Sequence, residues 1–174
     1  MLPRTLLAAT AVLLSGLGAL ARADTLPGST RAHQALALCD ASTQETDRQV
    51  RLALLDRGLA AAESAVREDD ADAAAHFAVF CNLGRRLQLR AIGFLTLFDI
   101  RRVRREIDRT LELAPASPGV LTAKGLMLLQ LPRLLGGDAL EGARLIRRAL
   151  EVAPEFAPAR EALATAGGTP ATRP

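Results

Sequence analysis

The residues best suited to chemistry are two cysteines and two histidines, which occur as two pairs along the chain. His33 precedes Cys39 by six residues, and His76 precedes Cys81 by five. Two cysteines and two histidines can together hold zinc. Ligands on one helix share a face at a spacing of three or four residues, whereas at ~100° per residue these pairs point about 120 to 140° apart. The spacing therefore predicts no metal site, and we expect no cofactor.

The two cysteines suggest a different chemistry, because they are the only two in the chain. Cys39 and Cys81 fall in the first and third predicted helices, 42 residues apart. In an oxidising compartment, the expected outcome is a disulfide. The alternative is a pair of buried free thiols, since free cysteine packs as a small apolar residue.

No other residue set is typical of an enzyme. The chain lacks G-x-S-x-G, H-E-x-x-H and a phosphate loop with its lysine. Gly136-Gly137-Asp138 could cradle an anion at a helix N-terminus. Asp138 followed by Glu141 instead predicts that the aspartate itself caps the helix. We therefore predict a protein that is not an enzyme, with the two glycines forming a corner between helices.

The first 23 residues have the pattern of a secretory signal peptide. Arg4 precedes the apolar segment 6–20, which is too short to span a bilayer comfortably, and Ala21-Arg22-Ala23 fits a cleavage motif of small residues. We predict cleavage after Ala23, a periplasmic or secreted location, and no membrane span in the mature chain. An uncleaved membrane anchor is the alternative.

Charge and aromatic content argue against nucleic acid as a partner. Removing Arg4 and Arg22 from the 22 basic residues leaves 20, against 19 acidic residues. The chain has five Phe and no Trp or Tyr, so it has few of the aromatic faces on which bases stack. We predict no nucleic-acid partner.

Hydrophobic spacing from Ser29 onward is helical, with no alternating run typical of a strand. We predict an all-α domain over residues 24–166 and a disordered tail over 167–174. Ser42 followed by Glu45 predicts a capping box that starts the second helix near Thr43. The predicted helices cover about 30–40, 43–68, 73–89, 97–114, 119–131 and 139–153, and a last helix reaches about residue 166.

The chain also repeats itself. "RTLELAP" (109–115) and "RALEVAP" (148–154) share the pattern L-E-[LV]-A-P, and residues 64–80 form a degenerate third copy. This pattern resembles the end of helix B in the tetratricopeptide repeat. In that family, small residues let helix B lie close to helix A, a larger residue fills the groove, and a proline ends the helix. The matching residues are Gly142, Ile146, Ala149 and Pro154, with Gly125 in helix A; Val103, Ile107, Thr110 and Pro115; and, more weakly, Gly58, Ala62, Ala65 and Asp70.

The resemblance implies antiparallel hairpins stacked as a short right-handed superhelix of six to seven helices. The repeats are irregular, because Asp70 and Pro115 are 45 residues apart and Pro115 and Pro154 are 39 apart, against a standard 34. With "LPRLLGGD" at 131–138, this irregular pattern is similar to the T-component of TRAP-type periplasmic transporters. That family implies trimers, hence a homo-oligomer, and contact with a periplasmic solute-binding protein. The family's lipid-bearing cysteine is absent here.

The segment "AIGFLTLFDI" (91–100) is the most hydrophobic in the mature chain, and it falls within the longer repeat. One interpretation is a connection between helices that is tucked into the core. The other is an apolar lip that lines a cavity or partner groove. The predicted ligand or partner surface consists of Phe94, Leu97, Phe98, His76 and Phe80.

Arginines cluster around the same segment, with eight arginines against three acidic residues in 85–109. Such an excess could favour an anionic partner. The alternative is a solvated helix face stabilised by Arg102–Glu106 and Arg104–Asp108 pairs four residues apart. The candidate patch for an anionic partner is Arg85, Arg86, Arg101 and Arg105.

Together these features predict a secreted or periplasmic, non-catalytic helical scaffold that binds a partner protein. The alternative function is a TRAP-type transport accessory or carrier that binds a small hydrophobic solute.

Overall fold

A computed structural model describes residues 26–89 and 94–167, with the backbone alone for residues 94–96, 166 and 167. The predicted signal peptide and almost all of the predicted tail lie outside the described residues. The described residues are all-α, as predicted, with no strand and one 3-10 turn at Arg133–Leu135. The helices are α1 (Thr30–Gln44), α2 (Arg48–Glu68), α3 (Ala73–Leu89), α4 (Phe94–Leu113), α5 (Pro118–Gln130), α6 (Ala139–Val152) and α7 (Ala157–Gly167).

Helices α1 and α3 lie side by side and run in the same direction. At their N-terminal ends, the carboxylate of Asp72 accepts hydrogen bonds from the backbone of Ser29 and of Ala75, both at 2.8 Å. Further along, Cys39 and Cys81 form the predicted disulfide with their Cα atoms 6.2 Å apart. Burial alone would raise the pKa of Asp72, but these hydrogen bonds outweigh it and hold the pKa below its usual value.

Neighbouring helices in sequence pack as antiparallel hairpins, and small residues set how closely they approach. In the α5–α6 hairpin, Gly125 and Gly142 face each other. A Cβ atom at position 125 would lie 2.6 Å from the Cγ1 atom of Ile146 and 2.7 Å from the backbone oxygen of Gly142. The two glycines therefore permit a contact between helix backbones that any other residue would push apart.

The repeat pattern assigned three packing residues to helix B of each of its three copies, and all nine are buried. They lie in α2 (Gly58, Ala62, Ala65), α4 (Val103, Ile107, Thr110) and α6 (Gly142, Ile146, Ala149). The side chains around them form one core among α1 to α4, which extends to Val120 of α5, and a second core among α5 to α7. The right-handed sense of the stacking stays a prediction.

The predicted capping box at Ser42 is wrong. Helix α1 continues to Gln44, because the buried Ser42 hydroxyl donates to the Cys39 carbonyl of its own helix at 2.6 Å. Asp47 caps α2 instead, and its carboxylate accepts from two backbone N–H groups of the first turn. The carboxylate of Glu45 accepts from the backbone of Thr46 and of Asp47 in the connecting loop.

Helix α4 begins at Phe94, three residues before the predicted start. Leu97 and Phe98 therefore lie in its first two turns, with exposed fractions of 44% and 56%. At these two residues, the segment is an exposed helical turn and not a connection tucked into the core.

Gly125→Ala is expected to lower the free energy of unfolding by about 1 to 3 kcal/mol, because the new methyl group must displace Ile146 or the backbone of α6. Urea denaturation followed by circular dichroism measures this change.

Gly84→Ala in α3 is the matched control, since its Cβ atom would meet only Val103, at 4.0 Å. There the substitution should stabilise by about 0.5 to 1 kcal/mol through helix propensity. Equal stability of the two variants would contradict the close contact of α5 and α6.

Removing the disulfide is expected to cost about 4 kcal/mol, because it closes a loop of 42 residues in the unfolded chain. Cys39→Ala/Cys81→Ala measured against the oxidised chain in urea gives this value. A reducing agent should lower the free energy of unfolding of the wild-type chain to a value close to that of the variant. It should leave the free energy of unfolding of the variant unchanged.

Candidate functional site

The connection between α5 and α6, residues 131–138, is a corner closed by backbone hydrogen bonds. Its 3-10 turn is closed by hydrogen bonds from Leu135 and Gly137 to the Pro132 carbonyl, at 2.9 and 3.0 Å. The backbone N–H of Asp138 donates to Leu128 of α5 at 3.0 Å. Gly136 has a φ of 85°, which lies in the left-handed region and favours glycine. We call residues 131–138 the α5–α6 corner.

In the first turn of α6, the N–H groups of residues 140, 141 and 142 are already engaged by Asp138 and are not open to an anion. The Asp138 carboxylate accepts from the backbone of Leu140 and of Glu141, both at 3.0 Å, as the sequence predicted. Glu141 does not complete the capping box, because its carboxylate pairs with Arg144 at 2.7 Å. That contact lowers the pKa of Glu141.

Two leucines are strongly exposed at this corner. Leu134 has an exposed fraction of 95%, and Leu140, in the first turn of α6, has 83%. Loops are usually polar, and a fixed backbone that displays an apolar side chain to water gains nothing for folding. These two leucines therefore do not contribute to the core, and they form an exposed apolar feature next to the turn.

Arg104 of α4 holds the corner from the side. Its guanidinium donates to the Leu135 carbonyl at 3.2 Å and packs over Gly136, where a Cβ atom would collide with it. The predicted pair Arg104–Asp108 does not form, since Asp108 pairs with Lys124 of α5 at 2.8 Å. The other predicted pair, Arg102–Glu106, is confirmed at 3.8 Å.

The exposed face of α4 runs alongside the corner. Six exposed residues form this face: Leu97, Phe98, Arg101, Arg105, Asp108 and Glu112. Apart from Phe98, which follows Leu97 directly, they are spaced three or four residues apart and so share one side of the helix. We call these six residues the α4 stripe. It contains two of the four predicted apolar site residues and two of the four predicted arginines. The side chain of Phe94 lies outside the described residues.

The other predicted site residues lie elsewhere. Arg86 pairs with Asp56 at 2.9 Å, and Arg85 is half-buried in α3. Phe80 is half-buried and stacks on Phe77, with ring centroids 5.7 Å apart. His76 is buried in the first core, with an exposed fraction of 4%.

His76 is the centre of a polar network between α3 and α4. Its Nδ1 atom lies 2.7 Å from the Glu106 carboxylate, and its Nε2 atom lies 3.1 Å from the Asp70 carbonyl. Arg109 contacts the Asp70 carboxylate at 3.1 Å, and Arg102 joins Glu106 to Glu63. Both ring nitrogens of His76 thus face acceptors, and only the protonated imidazole donates to both.

This geometry shifts the titration of His76. The hydrogen bond to Glu106 raises its pKa above the usual 6.5, burial opposes the shift, and the contacts with Asp70 add to it. His76 and Glu106 therefore form a structural ion pair between α3 and α4. Both ring nitrogens of His76 are occupied.

The described residues also form two surface depressions. One, of about 410 Å³, is lined partly by the charged side chains of Glu68, Asp69 and Asp72. The other, of about 260 Å³, is lined partly by those of Arg102 and Glu106. Neither depression includes the α4 stripe. Among residues 26–89 and 94–167, no cluster of three or more His, Cys, Asp or Glu is placed to hold a metal. None of the helices described is long and apolar enough to cross a membrane.

No protein-family model matches the chain, and no curated protein is similar to it.

Sequence reasoning missed Leu134, Leu140 and the role of Arg104. The pattern "PRLLGG" did contain a signal, because a proline and two glycines around two leucines mark a turn, and turns lie at the surface. The contact of Arg104 with residue 135 joins positions 31 residues apart, and no local pattern predicts it.

The raised pKa of His76 predicts a dependence of stability on pH. The protonated imidazole stabilises the fold fully below pH 6.5, and this contribution is lost as the pH rises through the higher pKa of the folded state. The free energy of unfolding should therefore fall as the pH rises above 6.5, and His76→Gln should remove this slope. Urea titrations at several pH values measure it; His33→Gln is the control and should keep the slope.

Proposed function

We propose that this chain is a non-catalytic helical scaffold that works in the periplasm or outside the cell and binds a partner protein at the α5–α6 corner. The observation that carries the proposal is Leu134, an almost fully exposed apolar side chain on a closed, hydrogen-bonded turn. Binding there orders little that is not ordered already, so its entropic cost is low. Leu140 adds a second exposed apolar side chain in the first turn of α6, two residues after the corner.

The repeat architecture supports the same function. Stacked helical hairpins bind partners through extended surfaces, and additional residues between helices often contribute to the binding face. The α5–α6 corner is such an addition in the last full repeat, and it falls on the "LPRLLGGD" segment that resembles the TRAP T-component family. Membership of that family, homo-oligomerisation and a role beside a transporter are parts of this proposal.

The carrier alternative has less support. A small hydrophobic solute needs a concave apolar site that buries most of its surface. The two depressions described are lined partly by carboxylates and arginines, and Leu97 and Phe98 lie on an exposed helix face. The disulfide between Cys39 and Cys81 agrees with the proposed location.

Leu134→Ser/Leu140→Ser is expected to reduce capture of the partner about tenfold or more, since buried apolar anchors dominate interface energies. Tagged mature chain is incubated with periplasmic extract of the source organism, and proteins bound in stoichiometric amounts are quantified by mass spectrometry.

Val50→Ser/Val152→Ser is the matched control, because both valines are exposed, at 44% and 46%, away from the corner. It should retain the partner. Equal capture by both double variants would contradict the proposed site, and a retained apolar small molecule with no bound protein would support the carrier instead.

A further inference from the structure

The α4 stripe changes character along its length. It begins with the apolar pair Leu97 and Phe98, continues with Arg101 and Arg105, and ends with two acidic residues. The acidic residues already have partners, because Asp108 pairs with Lys124 and Glu112 pairs with Arg109. The basic middle of the stripe is the part whose charge is not balanced.

Arg101 and Arg105 differ from the other arginines of α4. Arg102 and Arg109 each contact two carboxylates, and Arg104 holds the α5–α6 corner. The side chains of Arg101 and Arg105 make no hydrogen bond or ion pair with any described residue. They lie four residues apart on one exposed face, where like charges repel each other.

The stripe and the α5–α6 corner form one surface. Arg104, between Arg101 and Arg105 in sequence, touches Leu135 and Gly136 of the corner. Arg133 and Leu134, which directly precede Leu135 in the corner, are exposed. Leu97 and Phe98 therefore precede two unpaired arginines on α4, and Arg104 links the same helix to the corner that carries Leu134.

We propose that this combined surface binds an acidic, amphipathic protein segment, in which carboxylates pair with Arg101 and Arg105 and apolar side chains contact Leu97, Phe98 and Leu134. This inference rests on the proposed function and specifies the chemistry of the partner. A helical segment fits because carboxylates four residues apart lie ~6 Å apart, the same rise that separates Arg101 from Arg105. Charge complementarity of this kind sets specificity and the rate of encounter.

An anionic bilayer fits the surface less well. A bilayer presents a plane of uniform negative charge, whereas Asp108 and Glu112 continue the same stripe. Interfacial binding also needs a wide apolar face, and the stripe has apolar residues only in its first two turns.

The probe is a fluorescein-labelled helical peptide with Leu, Glu, Glu and Leu at four-residue intervals on one face of an alanine-rich background. The comparison peptide has Gln in place of both Glu. Anisotropy at low ionic strength should show that the Glu peptide binds about five- to tenfold more tightly than the Gln peptide. Arg101→Gln/Arg105→Gln should abolish this preference, and added salt should weaken it.

Arg57→Gln/Arg67→Gln, which removes the same charge from exposed positions of α2, is the control and should keep the preference. Unchanged circular dichroism and thermal midpoint show that each variant is folded. Failure of both peptides to bind, equal binding of the two peptides, or equal loss in the control would overturn the inference.

Two further results would also overturn it. One is tight binding of vesicles with equal parts phosphatidylglycerol and phosphatidylcholine that is lost in Arg101→Gln/Arg105→Gln. The other is self-association in sedimentation that the same variant abolishes, because the occupant would then be a second copy of the chain. The proposed function is tested separately: partner capture that needs Leu134 would stand even if the Glu peptide failed.

Discussion

Each helical hairpin of this protein has an apolar face that only a neighbouring hairpin can cover. Among consecutive helices, α4 and α5 make the least extensive contact. The apolar contact there centres on Ile107 and Val120, which are fully buried in the first core. Two polar contacts reinforce it: Lys124 pairs with Asp108, and Arg104 reaches the backbone of the α5–α6 corner. The two cores are joined through this junction, and so the position of the corner depends on it.

Arg104 therefore links stability to function. The residue that closes the junction is also the residue that fixes the turn displaying Leu134. A turn that is ordered before binding keeps the entropic cost of binding low, but it needs hydrogen bonds that hold it in place. The Arg104 guanidinium supplies one of them by donating to the Leu135 carbonyl, which accepts no hydrogen bond within the turn. The His76 network plays a comparable part between α3 and α4, where it supplies partners for a buried polar ring.

Local periodicity in the sequence predicted the helical class and most helix positions. The two cysteines favoured a disulfide but left two free thiols open, and the structure shows the disulfide. The sequence-based prediction failed at Ser42, where a side chain bonded within its own helix instead of capping the next one. The predicted site residues also lie apart in the structure: His76 is buried and Phe80 is half-buried, whereas Leu97, Phe98, Arg101 and Arg105 share one exposed face. An arginine remains unpaired only if no carboxylate from another part of the chain reaches it. Arg86, for example, pairs with Asp56, 30 residues away, and the periodicity of the sequence does not predict such contacts.

The disulfide also bears on the order in which the molecule can fold. A chain that enters an oxidising compartment with its N-terminus first exposes Cys81 while α4 to α7 are still to follow. The cross-link can then fix α1 against α3 before the second core exists, and α3 becomes a finished template on which the later helices pack in sequence. In such a chain the cross-link closes the first core, and the α5–α6 corner belongs to the part of the chain that follows it.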